Sequence, residues 1–274
     1  MTHDFARWRD AVVASLASRD DVVGVGGLGS TAVTSRADEY SDLDIFILTI
    51  PGAEDRYRHH IDWIPDADDV VLHLVEWHGG GKVLFADGRM IEWGVGTPAA
   101  VSTWLAGEGV VLFDRRDSVH GSAAEALAAA QANPYAVNDV NERDALATFV
   151  FAIHHGMGRV RRGEVVSGGD IIRSEAVAAL LRAARAGLAS PEPGALDPGI
   201  LDPGILDPST LDPIDVRRRV ERAYPVLAND IANAVAQHPE PAARALLEMA
   251  HSHFGGRLPA TAVAAVRERY AWTD

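Results

Sequence analysis

The chain has 274 residues, a mass of 29.3 kDa, no cysteine and a formal charge of -14. Without cysteine it can build no disulfide framework, thiolate zinc site or thiol nucleophile, and 39 acidic against 25 basic residues is the wrong balance for a domain that tracks nucleic-acid phosphates. Residues 1–8 lack a basic segment leading into an apolar run, and no stretch of about 18 uncharged apolar residues occurs, so a soluble, cytoplasmic protein is expected, with neither nucleic acid nor membrane as a partner.

Apolar residues at helical spacing predict a first helix over 5–18, followed by a short β-branched strand, 22–25, that runs into Gly26, Gly27 and Gly29. A second strand, 43–50, is rich in Ile, Leu and Phe and stops at Pro51. A third covers 70–77 and a fourth 82–85; the Asp87-Gly88 pair then favours a tight hairpin into a fifth strand, 89–95. A short helix over 98–105 and a strand over 110–113 complete a mixed α/β domain, 1–118.

From 119 to 274 the strand signal gives way to helices. Leu146, Phe149, Val150, Ile153 and Met157 follow the spacing of a buried helical stripe, and 171–186 and 216–236 are Ala-, Leu- and Arg-rich at similar spacing. A repeat of Leu-Asp-Pro every five residues fills 194–213. Proline at that period forbids a continuing helix, and four such units are too short for a solenoid, so the repeat is read as an exposed, semi-extended loop. The expected fold class is α+β: a mixed sheet with flanking helices, then a helical bundle.

The chemistry concentrates in Gly29-Ser30 and in Asp42-Leu43-Asp44. Period-two geometry places Asp42 and Asp44 on one face of the second strand and Leu43 and Ile45 on the other. Two carboxylates held together repel until a divalent cation lies between them, and Mg²⁺ favours one or two carboxylates together with phosphate oxygens. A strand running into a glycine-rich turn and a serine offers backbone N–H groups and a hydroxyl to phosphates. Each piece alone also fits a solvated strand edge; the joint spacing points to metal-assisted nucleotidyl transfer.

An apolar strand, Gly-Ser, and then Asp-x-Asp opening a second apolar strand resembles the signature of the nucleotidyltransferase superfamily that includes DNA polymerase beta; here Gly29, Ser30, Asp42 and Asp44 carry the match. The superfamily places a third carboxylate on a neighbouring strand. Glu92 is favoured because an acidic residue within an apolar strand is costly without a partner; Glu76 is the rival. The run 84–89 leading to Glu92 is similar to a hairpin of bacterial aminoglycoside adenylyltransferases, especially the streptomycin-modifying kind, and 109–114 resembles the strand that closes their first domain. The resemblance covers about 20–118 and reaches the helical half only in outline. One departure stands out: many relatives carry Arg-Gly soon after Gly-Ser, whereas here Ala32-Val33-Thr34 follows and Arg36 is the nearest basic residue.

The resemblance implies that Asp42 and Asp44, with Glu92 as a third metal ligand or as the base for an acceptor hydroxyl, hold Mg²⁺ and ATP, and that Gly29, Ser30 and Arg36 face the triphosphate. The acceptor is expected in the cleft between the two domains. With 20 acidic against 10 basic residues in 1–118, a small cationic molecule of the aminoglycoside type suits the first domain. Two alternatives are a toxin-like enzyme acting on protein or tRNA and a catalytically silent nucleotide-binding module. Arg159, Arg161, Arg162 and Arg173 could meet phosphates or simply form a solvated basic helix end. His154 and His155 diverge, one half-buried and one exposed, as do His251 and His253, so neither pair is a ligand set. The tryptophans, Trp77, Trp93 and Trp104 among them, are expected in the core or as pocket wall, with Trp93 facing away from Glu92.

Overall fold

The structure is a computed structural model and describes residues 5–33, 37, 38, 40–116, 118–133, 140–188 and 215–272. It divides into two compact units, Met1–Pro134 and Tyr135–Asp274. Arg36 and the 194–213 repeat lie outside the described residues.

The first unit is built on a six-stranded mixed sheet in the order β3-β4-β5-β2-β1-β6, with β1 at Val22–Leu28, β2 at Leu43–Thr49, β3 at Val70–Val75, β4 at Gly81–Phe85, β5 at Met90–Gly96 and β6 at Gly109–Asp114. β2 and β5 run parallel, and every other neighbouring pair is antiparallel. One face buries Leu43, Ile45, Ile91 and Trp93 against α1 (Phe5–Ala17), whose Trp8, Val12 and Leu16 form its inner stripe. Trp93 anchors this layer: its ring meets Trp63 edge-on at 5.1 Å and its Nε1 donates to the Tyr57 carbonyl at 2.8 Å. Burying each such large side chain contributes about 1.5–3 kcal/mol.

The opposite face is covered over only part of its width. Val23, Phe46 and Leu48 pack against Val101 of α4 (Pro98–Val101) and Ala126 and Leu127 of α5 (Ala123–Ala132). The first unit therefore extends past the boundary expected at 118. Asp114, the last residue of β6, accepts the Ser122 hydroxyl and the Ala123 N–H, both at 2.9 Å, while Ser122 caps α5. Ending the domain at β6 would have cut these bonds. The helix expected over 98–105 is a single turn, N-capped by Thr97, that stops at Val101.

Two short helices follow the first two strands: α2 (Gly29–Ala32) after β1, and α3 (Glu54–His59), whose Tyr57 is buried in the main core, after β2. The β4–β5 loop has three residues, 86–88, closed by Phe85 and Arg89, with Gly88 at φ 88°. This is the loop in which a left-handed third residue completes the turn.

The second unit is helical, as expected. α6 (Glu142–Arg161) starts at the Asn141 cap and buries Leu146, Phe149, Ile153 and Met157. α7 (Val165–Asp170) leads into a π-helical segment, Ile171–Ala176, and then α8 (Val177–Gly187), where a single helix is expected from sequence. The helix expected over 216–236 is broken: α9 (Val220–Ala223) ends at Tyr224, and Pro225, which has no N–H to give the preceding turn, opens α10 (Pro225–Val235). α11 (Pro239–Phe254) and α12 (Ala260–Arg269) close the unit. Among the described residues, no helix is long and apolar enough to cross a membrane.

Candidate functional site

Residues 29–31 and 42–44 meet at the ends of β1 and β2. β1 leaves the sheet at Gly29, whose φ of 52° suits glycine and turns the chain back over β2. Thr31, fully buried, accepts the Asp44 N–H at its Oγ1, 2.9 Å away. The Ser30 hydroxyl lies 3.5 Å from the Asp42 carbonyl, and a Cβ on Gly29 would stand 4.0 Å from Asp44 Oδ2. The structure thus brings Gly29, Ser30, Asp42 and Asp44 together. Leu43 and Ile45 are buried in the main core, which leaves Asp44 on the opposite face of β2, whereas Asp42 precedes the strand, which begins at Leu43.

Across the sheet, Asp44 is in register with Glu92 of β5, and Glu92 with Lys82 of β4. Lys82 Nζ lies 3.2 Å from Glu92 Oε1 and 3.3 Å from Glu76 Oε1, and His78 Nε2 is 3.1 Å from Glu76 Oε2. The two candidates for the third carboxylate are thereby joined through one ammonium. The Glu92 hydrogen bond, ahead of that from Glu76, holds the Lys82 ammonium above its ordinary range. Thr31, Lys82 and the His78-Gly79-Gly80 turn are site residues that the sequence motifs do not single out.

These groups border a pocket of about 350 Å³, lined by Asp44, Glu92, Phe46, Leu28, the 78–80 turn and Trp104. Gly94 lets Trp104 form its wall, since a Cβ there would lie 2.9 Å from the indole ring. Trp93 faces the core, as expected, whereas Trp77, expected in the core or as pocket wall, is 96% exposed. Beyond Lys82 the same face continues onto the exposed Leu72, Leu74 and Leu84.

Asp42 and Asp44 offer the hard oxygen donors that Mg²⁺ takes, beside the Gly29-Ser30 turn. Among the described residues, no three His, Cys, Asp or Glu side chains are grouped to hold an ion; Glu92 is engaged by Lys82. A cation bound by two carboxylates and phosphate oxygens needs no third protein carboxylate, so the donor set fits Mg²⁺ carried with a nucleotide.

The second unit's candidate residues are occupied internally. Arg159 donates to Ser167, Arg161 to Glu240 and Arg162 to Glu164, while Arg173 donates to the carbonyls of Val235 and Gln237 at 3.0 and 2.7 Å. His154 is exposed, where a half-buried ring is expected, and its Nδ1 lies 3.1 Å from Tyr270 Oη. Tyr270 gives its one proton to the His154 carbonyl at 2.8 Å, so in the neutral ring Nδ1 is the donor. His253 pairs with Asp230 at 3.0 Å, away from His251. A groove of about 470 Å³ beside His154 and His155 contains one carboxylate, Glu175.

No protein-family model matches the chain, and no curated protein sequence matches it either.

Proposed function

We propose that the protein is a Mg²⁺-dependent nucleotidyltransferase that moves a nucleoside monophosphate, AMP from ATP, to a hydroxyl of a small cationic molecule of the aminoglycoside type. One observation carries the reading. The Thr31–Asp44 hydrogen bond sets the Gly29-Ser30 turn against the start of β2, where Asp44 stands in the strand and Asp42 just before it, beside a pocket wide enough for a small ligand.

When bound, Mg²⁺ would neutralise triphosphate oxygens and the charge that develops at the α-phosphorus. Asp42 and Asp44 hold it, and the Gly29-Ser30 turn orients the departing pyrophosphate. Glu92, in register with Asp44 on the adjacent strand, accepts the proton of the acceptor hydroxyl. As the acceptor oxygen bonds to the α-phosphorus, the bond from that phosphorus to the pyrophosphate oxygen breaks. Trp104 and Phe46 supply apolar walls that exclude water from the reacting phosphorus.

Acidic side chains at 42, 44, 76 and 92 suit a cationic acceptor. The exposed leucines beyond Lys82 suit one with an apolar flank, so lincosamides belong in the screen beside aminoglycosides. The test is incubation with Mg²⁺, labelled ATP and such a panel, followed by mass analysis for a product heavier by one nucleotide. Asp44→Asn should lower transfer by at least about 100-fold, the scale of lost charge stabilisation at a reacting phosphate. Full activity in that variant would overturn the site. Labelling of tRNA or of the protein itself, with no small-molecule product, would overturn the acceptor class.

A further inference from the structure

We propose that Lys82 is a positioning residue for Glu92: braced from the far side by Glu76, it aims the Glu92 carboxylate for proton acceptance and keeps it out of the aspartate pair that takes the metal. This rests on the nucleotidyltransfer reading. β4 and β5 pair Lys82 directly with Glu92, and β2 and β5 pair Glu92 with Asp44, so Lys82, Glu92 and Asp44 lie in one row across the sheet, while Glu76, just past the end of β3, reaches the ammonium from the other side. A lysine in a single exposed ion pair is held loosely, because its long stem has many rotamers. Here the ammonium is clamped between two carboxylates at 3.3 and 3.2 Å, and the outer one is oriented in turn by His78 at 3.1 Å. Such two-sided bracing leaves the ammonium little room to swing. Without it, a bare Glu92 beside Asp44 would be drawn to any cation the aspartates hold.

The test uses the full chain with Lys82→Met, which keeps most of the stem's volume, Lys82→Arg and Glu76→Gln. In the transfer assay, Lys82→Met should lower kcat by on the order of 100-fold, the scale for a displaced catalytic group, while leaving KM for ATP and acceptor unchanged. Lys82→Arg should recover most of that loss, and Glu76→Gln should fall between. A second readout needs no turnover. In a Mg²⁺ titration of thermal stability with a non-transferable ATP analogue, Lys82→Met should shift half-saturation to lower Mg²⁺, and adding Glu92→Gln should reverse the shift. Unchanged kcat in Lys82→Met, or Lys82→Arg no better than Lys82→Met, would overturn the assignment; so would a Lys82→Met titration that overlays the wild type. If Lys82→Met does not fold, Glu76→Gln, which leaves β4 and β5 intact, must lower kcat or the assignment falls. If the wild type binds Mg²⁺ and the analogue but transfers nothing, the transfer reading fails. The titration of Lys82→Met against Lys82→Met/Glu92→Gln then decides the role of Lys82 by itself.

Discussion

At the scale of single residues, the site depends on a threonine that no charge or motif marks. Thr31 is fully buried, and its Oγ1 accepts the Asp44 N–H at 2.9 Å. Thr31→Val keeps the shape and removes the acceptor, so the hydrogen bond from the Asp44 N–H is lost, a cost of about 0.5–1.5 kcal/mol. Thr31→Ser keeps the acceptor and loses a methyl. The expected outcome is a lower urea midpoint for Thr31→Val with a proportionally larger fall in nucleotide transfer, and near wild-type transfer for Thr31→Ser. Equal transfer in both would mean that Asp44 is positioned by its strand alone. Asp42 and Asp44 could be read from sequence because two acids in an apolar strand break its pattern. Thr31 could not, since one threonine in a polar turn is indistinguishable from Thr34 until the chain folds back over β2.

At the scale of elements, strand pairing decides which side chains share a face. Strand positions were legible from apolar alternation, and strands expected over 82–85 and 89–95 leave the loop 86–88 between them. The observed loop is 86–88 and sets Lys82 opposite Glu92. Alternation selects it: Val83 and Phe85 must face the same core as Ile91 and Trp93, and a one-residue slip would turn one strand inside out. The signal for Lys82 was therefore present in the hydrophobic pattern, though no motif marks it. Pro225 was equally visible, yet strong helical spacing on both sides hid the break it makes.

Two glycines in this hairpin separate strain from function. Gly88 has φ 88° and open space where a Cβ would stand, so Gly88→Ala should cost about 1–3 kcal/mol through the backbone alone and leave ligand affinity intact. Gly94 lies in regular strand, where alanine suits the backbone, but its Cβ would meet the Trp104 ring at 2.9 Å. Gly94→Ala should hold its urea midpoint more closely than Gly88→Ala and weaken binding of the ATP analogue or of the acceptor. Calorimetric titration beside urea melts checks the pair; weaker binding in Gly88→Ala alone would remove Trp104 from the pocket's working wall.

At the scale of the whole molecule, each unit carries its own apolar core. The main helical cluster is formed by residues from Ala145 onward, while the two clusters on the faces of the sheet end at Ala130. Gly29, Ser30, Asp42, Asp44, Lys82 and Glu92 all belong to Met1–Pro134. A unit of this size, with one sheet face covered and the other covered in part, has the core of an independent domain. Residues 1–134 expressed alone should therefore melt in one cooperative transition. Because the residues proposed to hold the metal and nucleotide lie within that unit, Mg²⁺ with the ATP analogue at about 100 times its Kd should add about 2.7 kcal/mol, seen as an upward shift in Tm. The same addition to Asp44→Asn in the isolated unit should produce no Mg²⁺-dependent shift. A cooperative melt with no ligand response in the wild-type unit would move nucleotide recognition out of these residues, whereas a non-cooperative melt would show that the sheet requires residues beyond 134 to hold its fold.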